Sequence, residues 1–222
     1  MSRIKAVVFD MDGVLFDTER MYLDAWKILG ADKNIRDIEN TAKKCIGLSV
    51  TDTIALLRLT YGEDFPVEEY HGIIDSIVKD RIINCGMPIK SGAREILEYL
   101  YSIDFTVGLA SSTKYCRIIE NLERTGLRKY FKAVIGGDMI AHSKPDPEIY
   151  LAVCKQLGTD PAQAAAVEDS RNGLLSARQA GMIPLLVPDI VSPTEAMLSM
   201  CEKCFDSLVE VKTYLEREIS GI

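Results

Sequence analysis

"VVFDMDGVLFDTE" spans residues 7–19. With Ile4 and Ala6 before it, the segment begins as a short apolar strand rich in β-branched residues. It then runs directly into Asp10 and Asp12, two residues apart, followed at once by Gly13. A buried strand that ends in paired carboxylates calls for a chemical reason, and a glycine there lets the chain turn away without crowding them.

Working outward, four further runs share the character of that first strand: "FTVGLA" (105–110), "KAVIGG" (132–137), "AAAVED" (164–169) and "MIPLLV" (182–187). Each is short and largely apolar, as parallel strands covered on both faces are. Helical periodicity fills the intervals. Ile96, Leu97, Leu100 and Tyr101 share one face, and Ile118, Ile119 and Leu122 share another that Gly126 ends. In "KPDPEIYLAVCKQLG" Asp146 is expected as N-cap, Pro147 as the first helical residue and Gly158 as the stop, while Ser170 is placed to cap "RNGLLSARQA". Strands alternating with helices predict an α/β fold, a doubly wound, parallel, Rossmann-like sheet of about five strands.

Residues 19 to about 86 break this alternation. Four helical patterns follow one another there, with hinges expected near Phe16–Glu19 and Cys85–Lys90. The expected organisation is therefore a core of residues 1–17 and 87–222, with an all-helical cap inserted at 18–86.

In open parallel α/β sheets ligands bind beyond the carboxyl ends of the strands. Those ends carry Asp10 and Asp12, Ser111 and Ser112, a loop reaching Lys144, and Glu168 with Asp169. Oxygens from Asp10 and Asp169, with a backbone carbonyl, suit Mg²⁺ together with a phosphate oxygen. Lys144 offers a point charge to phosphate, and Ser111 and the following backbone N–H offer donors. One Asp can act as a nucleophile and a second, two residues on, as the acid–base. These residue types together point to phosphoryl transfer.

Four segments, "DMDGVLFDTE", "GLASST", "KPDPEIY" and "VEDSRNGLLSARQAGM", resemble the haloacid dehalogenase superfamily in order and spacing across essentially the whole chain. The branch with a helical cap, which includes phosphoglycolate phosphatase-like and β-phosphoglucomutase-like enzymes, is the most similar. The resemblance implies that Asp10 is the nucleophile and Asp12 the general acid–base, and that Ser111, Ser112 and Lys144 bind phosphate. It also implies that Mg²⁺ takes Asp10, the Asp12 carbonyl and Asp169, with Glu168 assisting through water. In the cap it implies that Gly47 and Leu48 of "IGLS" (46–49) face the substrate. Asp12 argues against the dehalogenases themselves. "DGV" in place of "AGT" argues against the phosphonate-cleaving relatives.

The remaining features exclude other classes. Lys and Arg number 26 against 33 Asp and Glu, a formal charge of −7, and the pI is about 5.0. An acidic chain with only short basic runs is not expected to bind nucleic acid. No apolar run is long enough to span a bilayer, and the N-terminal one is too short for a signal peptide, so a cytoplasmic location is expected. The six cysteines then read as free thiols, five of them as small hydrophobes, and the Cys201/Cys204 pair as incidental spacing. Thr18 is expected to cap the next helix, His142 to sit on a loop surface, His71 to be solvated and Trp26 to pack in a core. A monomer or weak homodimer is expected.

The expected activity is Mg²⁺-dependent hydrolysis of a small phosphorylated metabolite. A phosphomutase is the alternative. The resemblance implies that a mutase carries an arginine just after the cap's glycine-containing loop and a histidine on the first cap helix. Val50 and Tyr22 stand there instead, with Lys43 and Lys44 nearby. A response-regulator-like phospho-acceptor uses similar residues but is far shorter and lacks the insert. A non-catalytic binding protein has no reason to keep all four motifs.

Overall fold

The computed structural model describes residues 3–48 and 50–220. The chain divides into two compact units, one of Met1–Phe16 with Ile89–Ile222 and one of Asp17–Pro88.

The first unit opens with β1 (Ala6–Phe9). The second consists of α1 (Thr18–Lys33), α2 (Ile38–Cys45), α3 (Val50–Tyr61) and α4 (Val67–Cys85). The chain then continues as α5 (Ala93–Ser102), β2 (Thr106–Ser111), α6 (Tyr115–Arg124), β3 (Ala133–Gly136), α7 (Glu148–Leu157), β4 (Ala164–Glu168), α8 (Arg171–Gln179), β5 (Ile183–Leu186), α9 (Glu195–Met200), β6 (Lys203–Cys204) and α10 (Leu208–Ser220).

Among the described residues the strands form one parallel sheet in the order β3-β2-β1-β4-β5-β6, the Rossmann-like arrangement. The sheet has six strands rather than about five. β6 is two residues long at the sheet edge and half exposed, too short and too polar to show in a hydropathy pattern.

Side-chain alternation divides the strands between two buried faces. Ala6, Val8, Ala110, Ala133, Ile135, Ala164 and Ala166 face one cluster with Ile149, Tyr150 and Val153 of α7 and Ala177 of α8. The alternate residues Val7, Phe9, Val107, Leu109, Ala165 and Val167 are buried too, which is why these strands lack a polar face. Small alanines on the first face let α7 lie close to the sheet. Gly108 goes further, since a Cβ there would come within 2.9 Å of Val153.

The helical unit has its own core. Met21, Ala25, Trp26 and Leu29 of α1 pack with Ile38, Ala42, Leu57, Val67, Ile74 and Val78. Its two ends are joined by the Asp17 N–H donating to the Pro88 carbonyl at 3.0 Å.

Several local expectations are corrected. Pro147, not Asp146, stands at the N-cap of α7; Asp146 acts one residue earlier, its Oδ1 accepting the Glu148 N–H at 2.9 Å. Thr18 is the buried first residue of α1 rather than its cap, and Asp17 before it makes no side-chain capping bond. His71 is not solvated but half-buried, edge-on to Trp26 with ring centroids 5.6 Å apart. Cys85 and Cys116 are exposed and pack as no hydrophobe, because each falls on the outward side of its helix. Ser170 caps α8 by accepting the Gly173 N–H, and Gly158 ends α7 in the left-handed region. Trp26 is buried, and the described cysteines are free thiols.

Candidate active site

The switch point of this sheet lies between β1 and β4, where the strand order reverses direction. Phe9 pairs with Leu109 on one side and with Val167 on the other. The next residues, Asp10, Ala110 and Glu168, therefore emerge abreast at the carboxyl edge. The Asp10 N–H still donates to the Val167 carbonyl at 3.0 Å, so the carboxylate is held at the last rung of the ladder.

Lys144 ties these ends together. Its Nζ donates to Asp10 Oδ1 at 2.5 Å, to Glu168 Oε1 at 2.6 Å and to the Ala110 carbonyl at 3.2 Å. Asp10, Lys144 and Glu168 are all buried. Glu168 is saturated with donors: Tyr150 Oη reaches Oε1 at 2.6 Å, and the Ser170 hydroxyl reaches Oε2 at 3.1 Å. Charges taken out of water persist only when paired and hydrogen-bonded in this way.

The electrostatics follow from that burial. Desolvation pushes the Asp10 carboxyl up to about 8, with Lys144 pulling it down and the charges of Glu168 and Asp12 adding to the rise. Burial alone lowers Lys144, but the carboxylates of Asp10 and Glu168 outweigh it and hold the ammonium above its ordinary value. A carboxylate displaced this far, with a specific charge partner at a strand end, marks a functional-site candidate.

Asp12 is half-buried. Its Oδ2 accepts the Thr113 hydroxyl at 2.9 Å and, more weakly, the Ser111 hydroxyl at 3.4 Å. Ser111 is buried at the end of β2, and its Oγ also accepts the Thr113 N–H at 3.1 Å, which turns the chain sharply. Ser112 is exposed at that turn. The turn is clamped from β3: the Gly137 N–H donates to the Thr113 carbonyl at 2.9 Å, and Asp138 Oδ1 accepts the Tyr115 N–H at 2.7 Å. A Cβ on Gly137 would come within 2.2 Å of the Ser112 carbonyl.

The residues fit a divalent cation. Carboxylate oxygens of Asp10, Glu168 and Asp169 lie within 4.8 Å of one another. Two glycines make room for them. A Cβ on Gly13, which has φ +78°, would sit 2.1 Å from Asp169 Oδ2, and one on Gly173 would sit 1.9 Å from the Glu168 carboxyl carbon. Hard oxygen donors of this kind suit Mg²⁺.

Asp10, Asp12, Ser111, Ser112, Lys144, Glu168 and Asp169 thus gather at one sheet edge. Sequence reasoning missed Thr113, Tyr150 and Gly173. All three lie within quoted motifs, but only the contact of Thr113 with Asp12 and the contacts of Tyr150 and Gly173 with Glu168 give them a part. His142 is on an exposed loop, as expected, with its ring 3.0 Å from Glu148. In the helical unit Gly47 adopts φ +75°, which permits the turn after α2, and Leu48 is exposed. Ser49 of the same stretch lies outside the described residues.

The family model described as haloacid dehalogenase-like hydrolase matches residues 7–187, a span running from β1 through β5. The chain belongs to the haloacid dehalogenase-like hydrolases. Within this family it is 32% identical to a phosphorylated carbohydrates phosphatase of Thermotoga maritima, over 81% of this chain and 82% of that protein. It is 26% identical to a β-phosphoglucomutase of Bacillus subtilis, covering 85% and 88% of the two chains. A crystal structure of a hydrolase of the same family from Deinococcus radiodurans superimposes with a TM-score of 0.80 at 22% identity, covering 98% and 97%. That likeness extends the fold assignment to the helical unit as well as the sheet.

Proposed function

We propose that this protein is a phosphoric monoester hydrolase that acts on a small phosphorylated sugar or similar metabolite, with Asp10 as nucleophile. The observation that carries the reading is the buried Lys144 ammonium bridging Asp10 and Glu168 at the sheet's switch point, with Asp12 two residues further on. The phosphatase relative from Thermotoga maritima supports the substrate class.

In this reading the substrate phosphate is received by Lys144, the Ser111 hydroxyl and the backbone N–H of Ser112. Asp10 attacks phosphorus in line, and the P–O bond to the alcohol breaks as the new bond to the carboxylate forms. Asp12 gives its proton to the departing oxygen. It then takes a proton from the water that cleaves the aspartyl-phosphate, releasing inorganic phosphate and restoring Asp10. Thr113 orients Asp12 for both steps through the bond to Oδ2. Mg²⁺ held by Asp10, Asp169 and the Asp12 carbonyl would neutralise charge on the transferring group. The helical unit is proposed to act as the cap that selects among substrates.

A mutase is the second reading, kept by the Bacillus subtilis relative. Two observations favour hydrolysis. Val50, 72% exposed at the start of α3, brings no cation, and the Tyr22 hydroxyl donates to Asp75 at 3.2 Å where a histidine was implied. A second phosphate carries nearly two negative charges and needs a cationic partner. The test is a panel of phosphorylated metabolites with Mg²⁺, read by phosphate release. It includes β-glucose 1-phosphate with a catalytic amount of the bisphosphate. Release of inorganic phosphate from at least one sugar phosphate is expected. Glucose 6-phosphate forming faster than inorganic phosphate overturns the hydrolase reading.

A further inference from the structure

Tyr150 lies in the first turn of α7 with no exposed surface, inside the apolar layer between that helix and the sheet. A phenylalanine would fill this layer without bringing in a polar atom. The hydroxyl instead reaches through the layer to the carboxyl edge and donates to Glu168 Oε1 at 2.6 Å. The same oxygen accepts from Lys144 at 2.6 Å, and the Lys144 ammonium lies 5.0 Å from the centre of the Tyr150 ring. Tyr150 therefore touches both members of a buried ion pair while standing outside the proposed reacting groups.

The donors of Lys144 are fully engaged. Its three N–H bonds go to Asp10, Glu168 and the Ala110 carbonyl. A phosphate arriving at this site must draw charge from an ammonium that Glu168 also claims. Glu168 is fully buried, so its negative charge must be offset by its neighbours. The Asp169 N–H and the Ser170 hydroxyl satisfy Oε2, leaving Oε1 to Lys144 and Tyr150. Without the phenol, Lys144 would be the donor on which Oε1 depends.

We infer that Tyr150 is a positioning residue: by sharing Glu168 Oε1 it loosens the hold of Glu168 on Lys144 and keeps the ammonium available to Asp10 and to the phosphate of the substrate. This inference rests on the phosphatase reading and extends it to a residue that contacts no substrate. The ring and the hydroxyl make separable contributions. The ring borders the ammonium, and the hydroxyl engages the carboxylate.

The test uses the full-length, Mg²⁺-loaded protein with inorganic phosphate as the probe, its affinity read by protection against thermal unfolding alongside kcat and KM. Y150F keeps the ring and removes only the donor. Its expected effect is weaker phosphate binding by on the order of tenfold, the scale of a hydrogen bond to a charged group, with KM rising in parallel. In an E168Q background there is no buried charge to share, so the same Y150F change should alter phosphate affinity by less than about threefold, a coupling that simple loss of packing does not produce. Wild-type phosphate affinity in a folded Y150F protein overturns the inference, and so does an equal loss in both backgrounds. Should Y150F alone not fold, comparing E168Q with the double variant decides the matter: a tenfold difference between those two overturns the inference. A wild-type protein that neither binds phosphate nor hydrolyses any ester overturns the phosphatase reading itself. An active wild type with an unaffected Y150F removes only the role of Tyr150.

Discussion

Two groups of donors on the α/β unit each gather close together and have opposite characters. Asp10, Glu168 and Asp169 bring ligand atoms within 4.8 Å of one another, and so do His142, Asp146 and Glu148. In the second group Glu148 accepts the N–H of Ala141 at 2.9 Å and that of His142 at 2.8 Å, and these backbone bonds hold its carboxyl below the usual range. In the first group burial pushes Asp10 upward, against the pull of Lys144. One carboxylate is stabilised as a charge and braces a loop. The other is kept poorly solvated beside a buried cation. Proximity of ligand atoms alone does not separate these two clusters, whereas the direction of the pKa shift and its physical cause do.

The sharpest way to break this contrast is at Asp10. Asp10→Asn should abolish measurable turnover, a loss of at least ~10³ in kcat if the residue is the nucleophile. Excess EDTA should do the same reversibly, with Mg²⁺ restoring activity. A variant that keeps wild-type kcat removes the covalent route, and full turnover in EDTA removes the metal.

If Asp12 is the acid, Asp12→Ala is expected to lower kcat by ~10² to 10⁴ while substrate still binds, because the leaving oxygen would then lack a proton donor. A change under about threefold assigns the acid elsewhere. Next in size is Thr113→Val, which deletes the 2.9 Å donor to Asp12 Oδ2. About a tenfold fall in kcat with KM nearly unchanged is expected from a lost bond to a charged group. A rise in KM alone would place Thr113 in substrate binding instead.

The second cluster should respond differently. His142→Ala and Glu148→Gln are expected to change kcat by less than about threefold and to leave the Mg²⁺ concentration for half-activation unaltered, since the contacts of Glu148 are to its own loop. A shift in Mg²⁺ dependence in either variant would join the two clusters into one site.

His71 tests whether burial by itself makes a reactive group. Burial lowers its pKa, with Asp75 and Glu68 opposing, and its Nε2 lies buried without a hydrogen-bond partner against Trp26. The fold therefore favours the neutral ring. Its contribution to stability is intact above the ordinary histidine value of about 6.5 and is lost as pH falls from there toward the lowered folded value. Because the side chain is half exposed, the expected drop in Tm between pH 7.5 and 5.5 is the smallest effect of the series, and His71→Gln should flatten it while leaving kcat unchanged. Equal pH profiles for the two proteins would remove His71 as the source.

How much was legible beforehand depends on whether an interaction is local. The strands of the sheet, apart from β6, announced themselves because runs such as "AVVF" and "AAAV" are apolar on every residue, which only a sheet covered on both faces requires. Ser170 and Gly158 read correctly because capping is decided within a few residues. His71 read wrongly because the ring that buries it, Trp26, is on a different helix.

The amino-acid sequence by itself determined the alternation of strands and helices, the helical insertion after the first strand, and the residue types at the strand ends, since each depends on neighbours along the chain. Only the tertiary structure decided which of those polar groups bear on one another. Lys144 lies 134 residues from Asp10 and 24 from Glu168, and Thr113 lies 101 from Asp12. These pairs form because parallel strands in register deliver distant residues to one edge, where the desolvated charges must find partners.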